Sequence, residues 1–209
     1  MPVKVPKTDG FNAVDEAGGS GLIKGEKIKF SNAGEWLNGD TVIAADREFI
    51  VIKLLKATQK WSDAKPVETM IIADDAYFPD IETLNAEAPP EEKHEAFGKT
   101  VGPWQNVIIT YLICPASMEA FCWPTSTMGG FRAIQELKDA TRRARMLRGD
   151  NLFPRVTLGD KFMNTVYGGR QRPFFVIKGF EPIGDAPPPA LTKPAPDSNS
   201  DMGGDSIPH

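Results

Sequence analysis

The spacing of apolar residues changes twice along the chain, and each change marks an expected element. Alternation begins in "EKIKFSNAGEWL" and predicts short strands. "REFIVIKLLKATQKW" is a long β-branched run, and "KPVETMIIAD" is another. "SDAKP" between them predicts a hairpin turn. "WQNVIITYLICPA" and "EAFCWPT" read as a second strand pair. The period then becomes helical from Met128 to Arg148. Phe131, Ile134, Leu137, Thr141, Ala144 and Leu147 recur at spacings of three and four and form a core-facing stripe. Ser126 or Thr127 can cap this helix, and Gly149 stands where a glycine past the C-terminus belongs. "RVTLGDKFMNTVY" and "RPFFVIKGFEPI" return to strand character, joined by "GGRQ".

Three or four strands, one helix and two strands form the order of a five-stranded Greek-key barrel of the OB type, whose helix follows the third strand. The expected fold is mainly β with one helix. To the OB-like barrel are added an extra hairpin and an acidic, proline-containing insertion over residues 74–103, read as lacking periodicity. An α+β sandwich with the helix on one face is the alternative. Residues 1–20 are rich in Gly, Pro and small polar residues and are expected to be a disordered arm. Residues 21–184 form the body. Residues 185–209 are a Pro-rich linker and an acidic tail.

Composition is ordinary for a globular chain, with 41% hydrophobic and 25% charged residues. No apolar run is long enough for a membrane helix, and the N-terminus lacks a secretory signal, so a cytoplasmic setting is expected. Cys114 and Cys122 read as buried free thiols. His94 and His209 are the only histidines, too few for a zinc site. Nucleophile-elbow, zinc-protease and dinucleotide motifs are absent, so the chain is read as a binding protein without cofactor, not an enzyme. Asp74-Asp75 and Glu91-Glu92 could hold Mg²⁺ in a nuclease, but their segment reads as solvated.

The net charge of −4 conceals a segregation. Residues 62–97 hold ten Asp/Glu against two Lys, whereas residues 131–172 hold ten Lys/Arg against four Asp/Glu. A binding face depends on such clustering more than on the sum. Lys138, Arg142, Arg143, Arg145 and Arg148 crowd the end of the helix. Cations there complement the helix dipole, yet four arginines in seven residues exceed that need and call for anions. Aromatic residues interleave with Arg132, Arg155, Lys161, Arg170 and Arg172. Stacking rings beside a basic groove are the chemistry of single-stranded nucleic-acid binding. Trp123, ending a strand, is the candidate exposed platform, although most such rings belong to cores. Tyr167 and Arg170 lie at an expected hairpin tip. "TMGGF" reads as a tight turn or as a backbone approach to phosphate at a helix start.

The tail "DSNSDMGGDSIPH" resembles that of bacterial and phage single-stranded-DNA-binding proteins. Bacterial members of that family end in acidic residues followed by Ile-Pro-Phe, a hook for replication and repair proteins. Asp201, Asp205, Ile207 and Pro208 match the pattern; Ser206 replaces an acid and His209 stands in place of Phe. Residues 104–180 also look like proteins common in phage genomes, with a "PWQ" strand, a Gly-Gly helix start and a basic helix end. The resemblance implies sequence-independent binding of single-stranded DNA in phage replication or recombination, with the tail recruiting partner proteins. A protein-interaction or virion assembly module and a degenerate nuclease or recombination factor are the alternatives, and homo-oligomerisation stays open.

Overall fold

The computed structural model describes residues 25–63, 65–96, 99–165 and 168–182. The expectations for the N-terminal arm, for Tyr167 and for the tail residues Asp201, Asp205, Ile207 and Pro208 lie outside them.

The chain is mainly β. Strands β1 (Glu26–Phe30), β2 (Trp36–Asn38) and β3 (Thr41–Val42) form a short meander. The long strand β4 (Glu48–Ser62) and β5 (Lys65–Ile72) form the first hairpin, turning at Asp63 with a positive φ of 49°. The acidic insertion follows, then β8 (Trp104–Ile113), β9 (Ala120–Thr125), helix α2 (Met128–Arg148), β10 (Leu152–Thr165) and β11 (Gly168–Pro182). "GGRQ" is therefore the start of β11, not its turn.

The insertion is more ordered than its composition suggests. It contains helix α1 (Ile81–Glu87), a 3-10 turn (Pro90–Glu92) and a small hairpin of β6 (His94–Ala96) and β7 (Lys99–Val101). The described residues thus form two α-helices where one was expected. Asp80 caps α1, and its hydrogen bonds with Thr83 and the Glu82 amide hold its carboxyl below the usual carboxylate range. Asn85 fastens α1 to β8 by exchanging hydrogen bonds with the Trp104 backbone.

The large sheet runs β11-β10-β4-β8-β9-β1-β2-β3, with β5 added to β4. Pairs are antiparallel except β1 with β9. β4 needs no alternation because both its faces are covered: Phe49, Val51 and Leu54 enter the main core, while Ile52 and Leu55 join Val107, Ile109 and Tyr111 in a second cluster. The sheet curls into a half-barrel whose ends approach each other. The Trp36 indole N–H of β2 donates to the Gly159 carbonyl of β10 at 2.7 Å. Helix α2 lays Ala133, Ile134 and Leu137 on the main core.

Thr127 accepts from the Gly130 amide and caps α2, as expected. Gly149 ends it at φ +100°, a conformation that favours glycine, with its N–H on the Arg145 carbonyl. The buried stripe stops at Thr141, however, and Leu147 is exposed. No helix among the described residues is long and apolar enough to cross a membrane.

Candidate nucleic-acid interface

A cleft of about 740 Å³ opens where the curled ends of the sheet meet the start of α2. Its walls are the end of β1 (Lys29, Phe30) with Ser31 and Asn32, the β9–α2 junction (Trp123–Gly129) with Arg132, and the β10–β11 hairpin (Met163–Thr165, Arg170–Pro173). β10 pairs with β4 only through Arg155–Thr157, while its pairing with β11 continues to Thr165 and Gly168. Past Gly159, which holds Trp36, the hairpin continues as an arm beside the cleft.

Two glycines set how closely the helix can sit. A Cβ on Gly130 would lie 2.0 Å from Thr125 Oγ1, and one on Gly129 would lie 3.0 Å from Arg172 Cβ. The "TMGGF" stretch is therefore neither a tight turn nor an open phosphate cradle. Its glycines are buried in the first turn of α2 and let that turn press against β9 and β11.

Lys29, Arg132 and Arg170 are exposed at the cleft, and none has a hydrogen bond or ion pair with a described residue. Among the described residues no Asp or Glu lines the cleft. The first turn of α2 also carries no acid, so its amide dipole adds positive potential there. Phe30 is half-buried, its ring edge-on to Trp36 at 5.3 Å.

The fold brings Trp123, Arg132, Arg170 and Arg172 of the sequence-derived set to this cleft, but two of them in other roles. Trp123 is 3% exposed, not a platform. It shares the face of β9 with Phe121, and its ring packs on Trp36 at 4.8 Å and Phe175 at 5.6 Å. Arg172 is also buried, and its guanidinium donates to Glu136 Oε1 at 2.7 Å. It braces β11 against α2 instead of facing solvent.

The other cations form a separate group. Ten residues of helix, about 15 Å, separate Arg132 from Arg142. Arg145 donates to the Leu152 carbonyl at 2.9 and 3.1 Å and ties the helix end to β10, a fastening role in place of the expected groove role. Arg142 pairs with Asp139 at 3.3 Å. Arg143 and Arg148 are exposed, and Lys138 is half-buried; none of the three is paired with a described residue.

Sequence reasoning missed Lys29 and Phe30. The alternation of Lys27, Ile28 and Lys29 marks both lysines as outward-facing, but only the pairing of β1 with β9 brings Lys29 to the cleft.

The thiols behave unequally. Burial pushes Cys114 up, but hydrogen bonds from Ser117, Arg47 and the Ser117 and Ala116 amides outweigh it and bring the thiol down to about 7. Burial raises Cys122. Both are free. No group of three His, Cys, Asp or Glu among the described residues could hold a metal ion. No protein-family model, curated protein or solved structure matches the chain.

Proposed function

We propose that the chain binds single-stranded DNA, without base sequence preference, in the cleft between β1, α2 and the β10–β11 arm. The observation that carries this reading is a cleft where, among the described residues, Lys29, Arg132 and Arg170 stand unpaired at the rim and no carboxylate joins the lining, in a chain of net charge −4. Such a surface suits phosphates. Its concave form suits a flexible strand, whereas reading a duplex needs an element that enters a groove. Phe30, not Trp123, is the ring on which a base stacks. The curled sheet is compatible with an OB-like barrel, a fold that carries this activity in other proteins. The role is binding rather than catalysis, in replication or recombination, with Asp201, Asp205, Ile207 and Pro208 of the tail recruiting partner proteins.

Fluorescence anisotropy with single-stranded DNA, duplex and RNA of matched length, across a salt series, tests this. Single-stranded DNA is expected to bind most tightly. Each phosphate contact contributes about 0.7 to the slope of log K against log salt. Replacing Lys29, Arg132 and Arg170 by Ala therefore lowers that slope by about 2. Equal or tighter binding of duplex, or an unchanged slope in the triple variant, would remove the reading.

A further inference from the structure

Two patches of opposite charge lie toward opposite ends of α2, and each surrounds large apolar side chains left in solvent. At the C-terminal end, Met146 is 80% and Leu147 85% exposed, between Arg143 and Arg148. Near the other end Tyr77 is 96% exposed, between Asp75 and Glu82 of the acidic insertion. These three are the most exposed large hydrophobic residues among the described ones.

The acidic patch is held in place. Phe78, next to Tyr77, packs on Phe131 in the first turn of α2, ring centroids 6.2 Å apart. Lys56 donates to the carbonyls of Asp74 and Ala76. From Phe131 to Arg143 the helix rises about 18 Å. Among the described residues Arg143 and Arg148 form no ion pair, and Arg142 takes Asp139 of its own helix. Lys60 takes Glu92 instead. Asp75 and Glu82 likewise have no ion pair among the described residues, and each patch is the complement of the other. Tyr, Met and Arg are also the residue types enriched where proteins meet.

We infer that the Tyr77 patch of one copy docks on the Arg143–Arg148 end of α2 in a second copy. The two surfaces differ, so the contact is head-to-tail and builds open chains rather than closed pairs, unless the rotation happens to close a ring. The inference stands apart from nucleic-acid binding: none of the residues it uses lines the cleft.

Sedimentation velocity of the full chain over a concentration series is the test. At low salt the weight-average sedimentation coefficient rises with concentration, and at high salt it returns to the monomer value. Reversing the basic end (Arg142→Glu, Arg143→Glu and Arg148→Glu) gives a monomer. So does reversing the acidic patch (Asp75→Lys and Glu82→Lys). Like charges then face each other, weakening association roughly a hundredfold or more. An equimolar mixture of the two reversed proteins associates again, which a misfolded variant could not do. Tyr77→Ala weakens association about thirtyfold. A wild-type chain that stays monomeric at low salt, or association indifferent to either reversal, overturns the inference. So does association that needs added oligonucleotide, or that disappears on deleting residues 197–209, since the basic end would then hold nucleic acid or the tail.

Discussion

Arg172 Nη2 lies 2.7 Å from Glu136 Oε1, and this one bond joins β11 to α2 across the inner wall of the cleft. The arginine side chain is 7% exposed and the glutamate 39%. Glu136→Gln leaves the guanidinium a neutral acceptor, at an expected cost of about 1–3 kcal/mol in urea unfolding, moderated by the exposure of the glutamate. The same change removes a negative charge that is bonded to an arginine lining the cleft. Single-stranded DNA affinity therefore rises, with a steeper salt dependence, in anisotropy titrations.

Gly130→Ala places a methyl where Thr125 stands. The helix start must shift off β9, at a cost of about 1–3 kcal/mol. Thr125→Ala added to Gly130→Ala makes room, and the pair is expected to be more stable than the sum of the two single changes. Thermal unfolding of the four proteins gives the coupling.

Trp123, expected as an exposed platform, lies in the core, while Phe30, which the sequence reading missed, is half-buried at the cleft. Trp123→Ala empties a site among Trp36 and Phe175 and costs about 3–5 kcal/mol of stability. Phe30→Ala costs less stability but lowers affinity for single strands by about 1–3 kcal/mol, leaving the salt slope intact. Melting curves and anisotropy on both variants separate the two effects.

Cys114 titrates near 7 in the fold, below the ordinary thiol value of about 8.5. The lowered value means that its thiolate is favoured by the native surroundings. That contribution is complete above the unfolded value and is lost as pH falls from about 9 toward 7. The stability difference between wild type and Cys114→Ala is expected to shrink over that window. Arg47→Ala removes one of the bonds holding the thiolate and flattens the trend; urea midpoints across pH measure both.

Much of this architecture is readable from residue order. Thr127, Gly149 and the stripe from Ile134 to Thr141 define α2 because caps and periodicity are local. The strands of the two hairpins follow from equally local runs. What escapes the sequence is decided at long range. Leu147 keeps the helical spacing, yet in the fold it is left exposed. Arg172 reads as a groove cation because its partner, Glu136, is 36 positions away. Trp123 could have been placed in the core by strand parity with Phe121, since both face one way along β9. Helix α1 carries a legible start in Asp80 but is only seven residues long, and the prolines around it hide its period. Lys29 belongs to the cleft only through the β1–β9 pairing.

That pairing also dictates an order of events during synthesis. Glu26 and Lys27 wait for Phe121 and Cys122 before β1 has its parallel neighbour, and Trp36 waits for Gly159, 123 residues later, before its indole is satisfied. The first strands to leave the ribosome are thus among the last to be secured, while β4 and β5 can close as soon as they emerge. Contacts so distant in sequence slow the final closure. Nascent chains stalled short of Phe121 should therefore hold a protease-resistant hairpin and an unprotected meander.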